Sequence, residues 1–131
     1  MIVVDTSALA ALYLAEPPST EIEERLKYAG TVLVPVTTMI EFASLQRFGS
    51  QRFGWLDLFL QRFSAPVLGL DAEAAETALA AARRYGKGSG HPAQLNFGDC
   101  LVYAVAKYRD LPLLFVGDDF RHTDITPALK V

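Results

Sequence analysis

Five carboxylates stand where this chain could do chemistry. Asp5 closes the apolar run IVVD, Glu41 follows TVLVPVTTMI, Asp99 follows QLNFG, and Asp118 and Asp119 follow LLFVG. Asp5 and the Asp118/Asp119 pair leave strand-like segments directly, whereas Glu41 and Asp99 fall in the first turn of segments with helical spacing. If the strands run parallel, all four places lie on one rim of the sheet, and acids gathered there repel one another unless a cation sits between them. A hard oxygen-ligand site for Mg²⁺ or Mn²⁺ answers that repulsion. Such sites commonly serve phosphoryl chemistry, where metal ions activate an attacking water and stabilise the leaving oxygen. Zinc fits poorly, because the lone Cys100 and the separated His91 and His122 make no ligand pair at a recognisable spacing.

Each acid also has a purely structural explanation. Thr38 with Glu41 and Asn96 with Asp99 both have capping-box spacing, and acids in a first helical turn complement the helix dipole. Asp5 could cap a helix, Thr6 and Ser7 could do the same, and GDD is ordinary turn chemistry. Convergence on one rim is what favours a site over four separate caps. No G-x-S-x-G elbow is present, and the loop GKGSGHP lacks the ending and spacing of a phosphate-cradling P-loop.

The elements that must position these acids read as alternating strands and helices. Residues 1–4, 31–36 and 113–116 and the short VLGL have strand character. Helical stretches are expected at 8–15, 20–29 (capped by Thr20 with Glu23, stopped by Gly30), 38–48 with Ile40 and Ala43 inward, 55–63, 72–85 and 96–109. In 72–85, Leu79 and the neighbouring alanines permit close packing, and 86–94 is the best mobile-loop candidate. Alternation of this kind predicts an α/β fold: a three-layer sandwich whose central sheet is mostly parallel with helices on both faces, and ligands beyond the carboxyl ends of the strands.

Length and composition set the outer bounds. The 131 residues suit one domain, 1–131. No apolar run reaches the roughly 18–20 residues of a membrane span, so no membrane role is expected. The opening MIVVDTSALAALYLAEPP lacks a basic leader and carries an acid at its fifth position, which reads as fold rather than signal peptide. One cysteine allows no internal disulfide, and the cytoplasm is the expected compartment. A net charge of −3 argues mildly against a broad nucleic-acid surface, unless metal ions reverse the local sign at the clustered acids.

IVVDTSAL, TTMIEFA, NFGDCLVYAVA and LLFVGDDFRHTDI together resemble the four acidic blocks of the PIN-domain ribonucleases, and more narrowly the VapC toxins of type II toxin–antitoxin pairs. The likeness runs through the whole chain, in order. It implies a PIN-like fold and metal-dependent hydrolysis of RNA with Mg²⁺, or Mn²⁺, at Asp5, Glu41, Asp99, Asp118 and Asp119. Metal ligation would fall to Asp5, Asp99 and the Asp118/Asp119 pair, which is adjacent here where many relatives space their two residues by one. Thr6 and Ser7 match the hydroxyls beside the first acid and would steady a carboxylate or a water. Homodimerisation and a VapB-like antitoxin laid across the site are further implications. The aromatic-rich FGWLDLFLQRF reads either as core or as the face for such a partner, and Lys87, His91 and Arg121 are candidates for the substrate rim. Two other classes compete. A receiver-like phosphoacceptor would open with paired acids and need a late strand-end lysine, neither of which is present. A catalytically silent PIN-fold binding module would keep the acids without turnover.

Overall fold

The computed structural model describes residues 1–130. Ile2–Val4 forms β1, Val32–Pro35 β2, Val67–Leu68 β3 and Leu113–Leu114 β4, and the helices are α1 Thr6–Tyr13, α2 Ser19–Lys27, α3 Val36–Ala43, α4 Arg52–Arg62, α5 Ala72–Tyr85 and α6 Phe97–Tyr108. A 3-10 turn at Gln46–Phe48 joins α3 to α4.

β1 and β2 are apolar on both faces because both faces are covered. Ile2, Val3, Val4, Val32, Leu33 and Val34 are all buried, as expected for the interior of a parallel sheet. The strand order is β3-β2-β1-β4, and every pairing is parallel. Alternation along β1 divides the core in two. Ile2 and Val4 pack with Leu9, Ile22, Phe42 and Phe59 on one face, while Val3 packs with Tyr85, Leu95, Val102 and Tyr103 on the other. The result is the expected three-layer α/β sandwich. The chain builds from β1 outward through β2 to β3, then returns to place β4 on the opposite side of β1. The topological switch point therefore lies between β1 and β4, the place where folds of this kind bind ligands beyond the strand ends.

Several local expectations are corrected. Thr20 and Glu23 form no capping box, because α2 begins at Ser19 with Pro18 as its N-cap and no side-chain capping bond; Glu23 instead pairs with Arg62 at 2.7 Å. α3 starts at Val36, so Thr38 and Phe42 face inward and Ile40 is 53% exposed. In α5 the alanines 74, 78 and 81 are buried with Tyr85, while Leu79 faces outward. One face of the aromatic segment 53–63 enters the core, with Leu56 and Phe59 buried and Trp55 and Phe59 stacked in a cluster with Tyr13, Phe42 and Phe48, while Phe53 and Leu58 are exposed.

The loop after α5 is anchored at its base. Gly86 bridges to Leu95, and Lys87 N–H donates to the Leu95 carbonyl at 3.0 Å. Gly86 is required for space: a Cβ there would collide with the Ala82 carbonyl, which is main chain and cannot swing aside. Gly86→Ala should destabilise the protein by about 1–3 kcal/mol, visible as a lower urea midpoint at unchanged m-value.

Candidate active site

The first acid is fixed by the start of α1. Asp5 is extended (φ −87°, ψ 157°) and caps that helix. Its Oδ2 accepts from Ser7 N–H at 3.0 Å and from Ser7 Oγ at 2.6 Å. Ser7 Oγ in turn accepts from Val116 N–H at 3.0 Å, just past β4, while Asp5 N–H donates to the Leu114 carbonyl at 2.9 Å. A single hydroxyl thus ties the end of β1 to the exit of β4 across the switch point. Ser7→Ala would leave the Val116 amide without that acceptor and Asp5 with one bond fewer. A loss of about 1–3 kcal/mol in urea unfolding is expected.

Asp5 is only 6% exposed. Burial raises its pKa above the ordinary carboxylate value; the Ser7 hydroxyl and amide oppose the shift, and the charge of Glu41 adds to it.

Glu41 reaches the same place from α3. The capping box expected with Thr38 does not form, because the helix begins before Thr38. The Thr38 hydroxyl donates instead to the Val4 carbonyl at 2.8 Å, pinning α3 to β1. Glu41 Oε1 accepts from Thr6 Oγ1 at 2.8 Å. Thr6 and Ser7 therefore serve two different acids.

Asp99 arrives on α6 through the capping box that its spacing predicts. Asp99 N–H donates to Asn96 Oδ1 at 2.8 Å, and Asn96 N–H donates to Asp99 Oδ2 at 3.1 Å. The structural explanation is correct here, and it also aims the carboxyl group at the other acids. Burial pushes the Asp99 pKa up to about 6; the Asn96 amide opposes this, Asp5 and Asp119 raise it further, and Lys87 lowers it.

The adjacent acids after β4 separate. Asp119 acts on Asp99 by charge, whereas the Asp118 side chain is 80% exposed and pairs with Arg121 at 3.6 Å. Asp5, Glu41, Asp99 and Asp119 are thus linked by charge repulsion, and Asp118 lies at the margin. Of the three rim candidates, Lys87 is the one that registers at a site acid. His91 is used by its own loop, its Nδ1 accepting from Ala93 N–H at 3.1 Å and its ring standing edge-on to Tyr85. Arg121 is engaged with Asp118.

Gly98 is the neighbour that residue-type reasoning passed over. It is buried in the first turn of α6, directly against the Glu41 carboxylate. The available signal was a glycine at a helical position, where most other residues are better helix formers.

The donor set is oxygen alone, which suits Mg²⁺ or Mn²⁺ and not a thiolate- or imidazole-seeking ion. Among the described residues no three His, Cys, Asp or Glu side chains close around an ion as they stand. Carboxylates that repel one another spread apart, and Mg²⁺ characteristically takes one or two of them and keeps several waters. The residues fit a hard cation held in that partly hydrated way.

Comparison with known proteins identifies the fold and the family. Residues 2–125 match the PIN domain family. Ribonuclease VapC30 of Mycobacterium tuberculosis is 42% identical over 125 residues, covering 94% of this chain and 95% of the relative. A VapC ribonuclease of Rhizobium meliloti is 37% identical over 139 residues, with 93% and 97% covered. Among solved structures, VapC20 of Mycobacterium tuberculosis, described as a sarcin-ricin loop cleaving toxin, superposes with a TM-score of 0.76 at 18% identity, covering 96% of this chain and 97% of that one. A toxin–antitoxin complex from Klebsiella pneumoniae gives 0.71 at 16% identity over the full length of both chains. Matched to the PIN domain over residues 2–125 and 42% identical to a VapC ribonuclease over most of its length, the chain belongs to the PIN-domain family, among the VapC ribonucleases.

Proposed function

We propose that this protein is a metal-dependent endoribonuclease that hydrolyses RNA phosphodiester bonds, acting as a growth-inhibiting toxin that a VapB-like antitoxin neutralises. One observation carries the reading: acids from four separated segments act on one another by charge, Glu41 on Asp5 and both Asp5 and Asp119 on Asp99, which burial with those charges pushes up to about 6. A carboxylate raised by burial and further by neighbouring acids suits a site for a cation.

Asp5, Asp99 and Asp119 would hold Mg²⁺ or Mn²⁺, with Asp118 outside the set. The ion supplies positive charge where non-bridging phosphate oxygens gather negative charge and makes water more acidic for in-line attack. Glu41, held by Thr6, would orient an attacking water and accept its proton. Ser7 keeps Asp5 from rotating. Lys87, whose charge lowers the Asp99 pKa, would meet an incoming phosphate and offset the protein's net charge of −3.

The partners follow the same reading. No described helix is long and apolar enough to cross a membrane, in keeping with action on RNA in the cytoplasm. A groove of about 410 Å³ is the size of a small-ligand site, but it is lined by Phe115, Pro127 and Leu129 and contains none of the four acids. A wider groove, about 530 Å³, runs beside Glu41 between Val36, Ile40, Phe97 and Leu101. That exposed apolar surface, where Val36, Ile40 and Phe97 face outward, is the better face for a homodimer than segment 53–63, whose Trp55 and Phe59 are taken up by the aromatic cluster.

The test is cleavage of a mixed pool of structured RNA by antitoxin-free protein in Mg²⁺ or Mn²⁺, beside an EDTA control. Metal-dependent fragments with discrete ends are expected. Intact RNA in both metals would favour the silent binding module.

A further inference from the structure

We infer that Gly98 is a positioning residue for the proposed hydrolysis: its missing side chain is the space in which the Glu41 carboxylate is held. The inference rests on the ribonuclease reading and concerns a residue outside the acidic set. Glycines are usually demanded by a left-handed backbone, but Gly98 sits in the first turn of α6 with ordinary helical geometry. Alanine would be the better helix former there. What excludes it is distance. An ideal Cβ at position 98 would stand 2.5 Å from Glu41 Oε2 and 3.0 Å from Glu41 Cδ, well inside contact.

On its other side the same carboxylate is fixed by Thr6, whose hydroxyl donates to Oε1 at 2.8 Å. Glu41 is therefore clamped between a hydroxyl from α1 and bare backbone of α6. A methyl group at 98 would displace it away from α6 and off that hydrogen bond. Gly98 and Gly86 make an instructive contrast. At 86 an added Cβ meets main chain, so the protein must lose stability. At 98 it meets the far end of a flexible side chain, so the fold can yield while the carboxylate moves.

The experiment compares wild type, Gly98→Ala, Glu41→Asp and the double variant for Tm, RNA affinity in EDTA, and kcat. Gly98→Ala should keep Tm within about 2 °C and leave RNA affinity unchanged, yet lower kcat roughly 10–100-fold, the scale of a misplaced reacting group. In the Glu41→Asp background, where the carboxylate is one methylene shorter and withdrawn from position 98, the same change should alter kcat less than about twofold. Undiminished kcat in Gly98→Ala, an equal loss in both backgrounds, or a marked fall in Tm would each overturn the inference. Failure of the wild type to cut RNA would count against the ribonuclease reading. In that event a crystal structure of Gly98→Ala still decides this inference: the 2.8 Å bond between Thr6 and Glu41 must be broken.

Discussion

Asp99→Asn should lower RNA cleavage by at least roughly 10²–10³-fold, the scale seen when one preorganised electrostatic group is removed from an active site, and the variant should be more stable than wild type without metal. The two effects share a cause. Asparagine keeps a side-chain oxygen to accept from Asn96 N–H, so the start of α6 is preserved. The substitution also removes a charge that burial, Asp5 and Asp119 disfavour. A residue that only capped the helix would show the opposite pattern, with stability lost and cleavage spared.

The sign of the pH dependence follows. Asp99 has an ordinary value of 3.8 and a folded value of about 6, so between them the native state binds the proton more tightly than the unfolded chain does. Metal-free wild type should accordingly lose stability as pH rises from about 4 through 6, and Asp99→Asn should flatten that slope. Below this window other groups act in the opposite direction. Glu23 is held below its usual value by the Arg62 hydrogen bond and charge. Asp124, although burial opposes it, is held down by Tyr103 and Lys107. Both lose stabilising contacts on acidification. Thermal melts in EDTA from pH 4 to pH 7.5 check the slope.

Removal of divalent cations should have the second large effect. Chelation is expected to bring cleavage down to background and to leave the acids repelling one another at neutral pH. Adding Mn²⁺ should then raise Tm, because an ion bound by the native state alone stabilises it by mass action. The rise should be larger at pH 7.5 than at pH 5, where protons compete for Asp99 and metal affinity falls. Equal rises at both pH values, or none, would contradict the assignment of Asp99 to the metal.

How far the sequence discloses this site depends on the range of each interaction. Asp5 and the Asn96/Asp99 box were legible because capping is local, written in residues at most three apart. The parallel sheet was legible because β1 and β2 are apolar without interruption. Glu41 was misread at the local level: its spacing from Thr38 suggested a box, but its partner, Thr6, lies 35 residues away. The choice between Asp118 and Asp119 was closed to sequence reasoning, since adjacent side chains in a turn are separated only by how that turn is held, here with Asp118 against Arg121. Ile40 and Leu79 face outward although their side chains are apolar, because hydrophobicity alone does not say which face of a helix meets the sheet. Gly98 was invisible for a related reason: its role is a volume left open for a side chain on another helix, and nothing within α6 records that need.

The most direct measurement of the central claim is the initial rate at which wild type and Asp5→Asn cut one RNA in Mn²⁺ at pH 7.5, with both proteins shown to be folded. A rate that depends on Mn²⁺ in the wild type and falls to the EDTA background in Asp5→Asn is expected. Equal rates in the two proteins would contradict the assignment of the reaction to the acids at the strand ends.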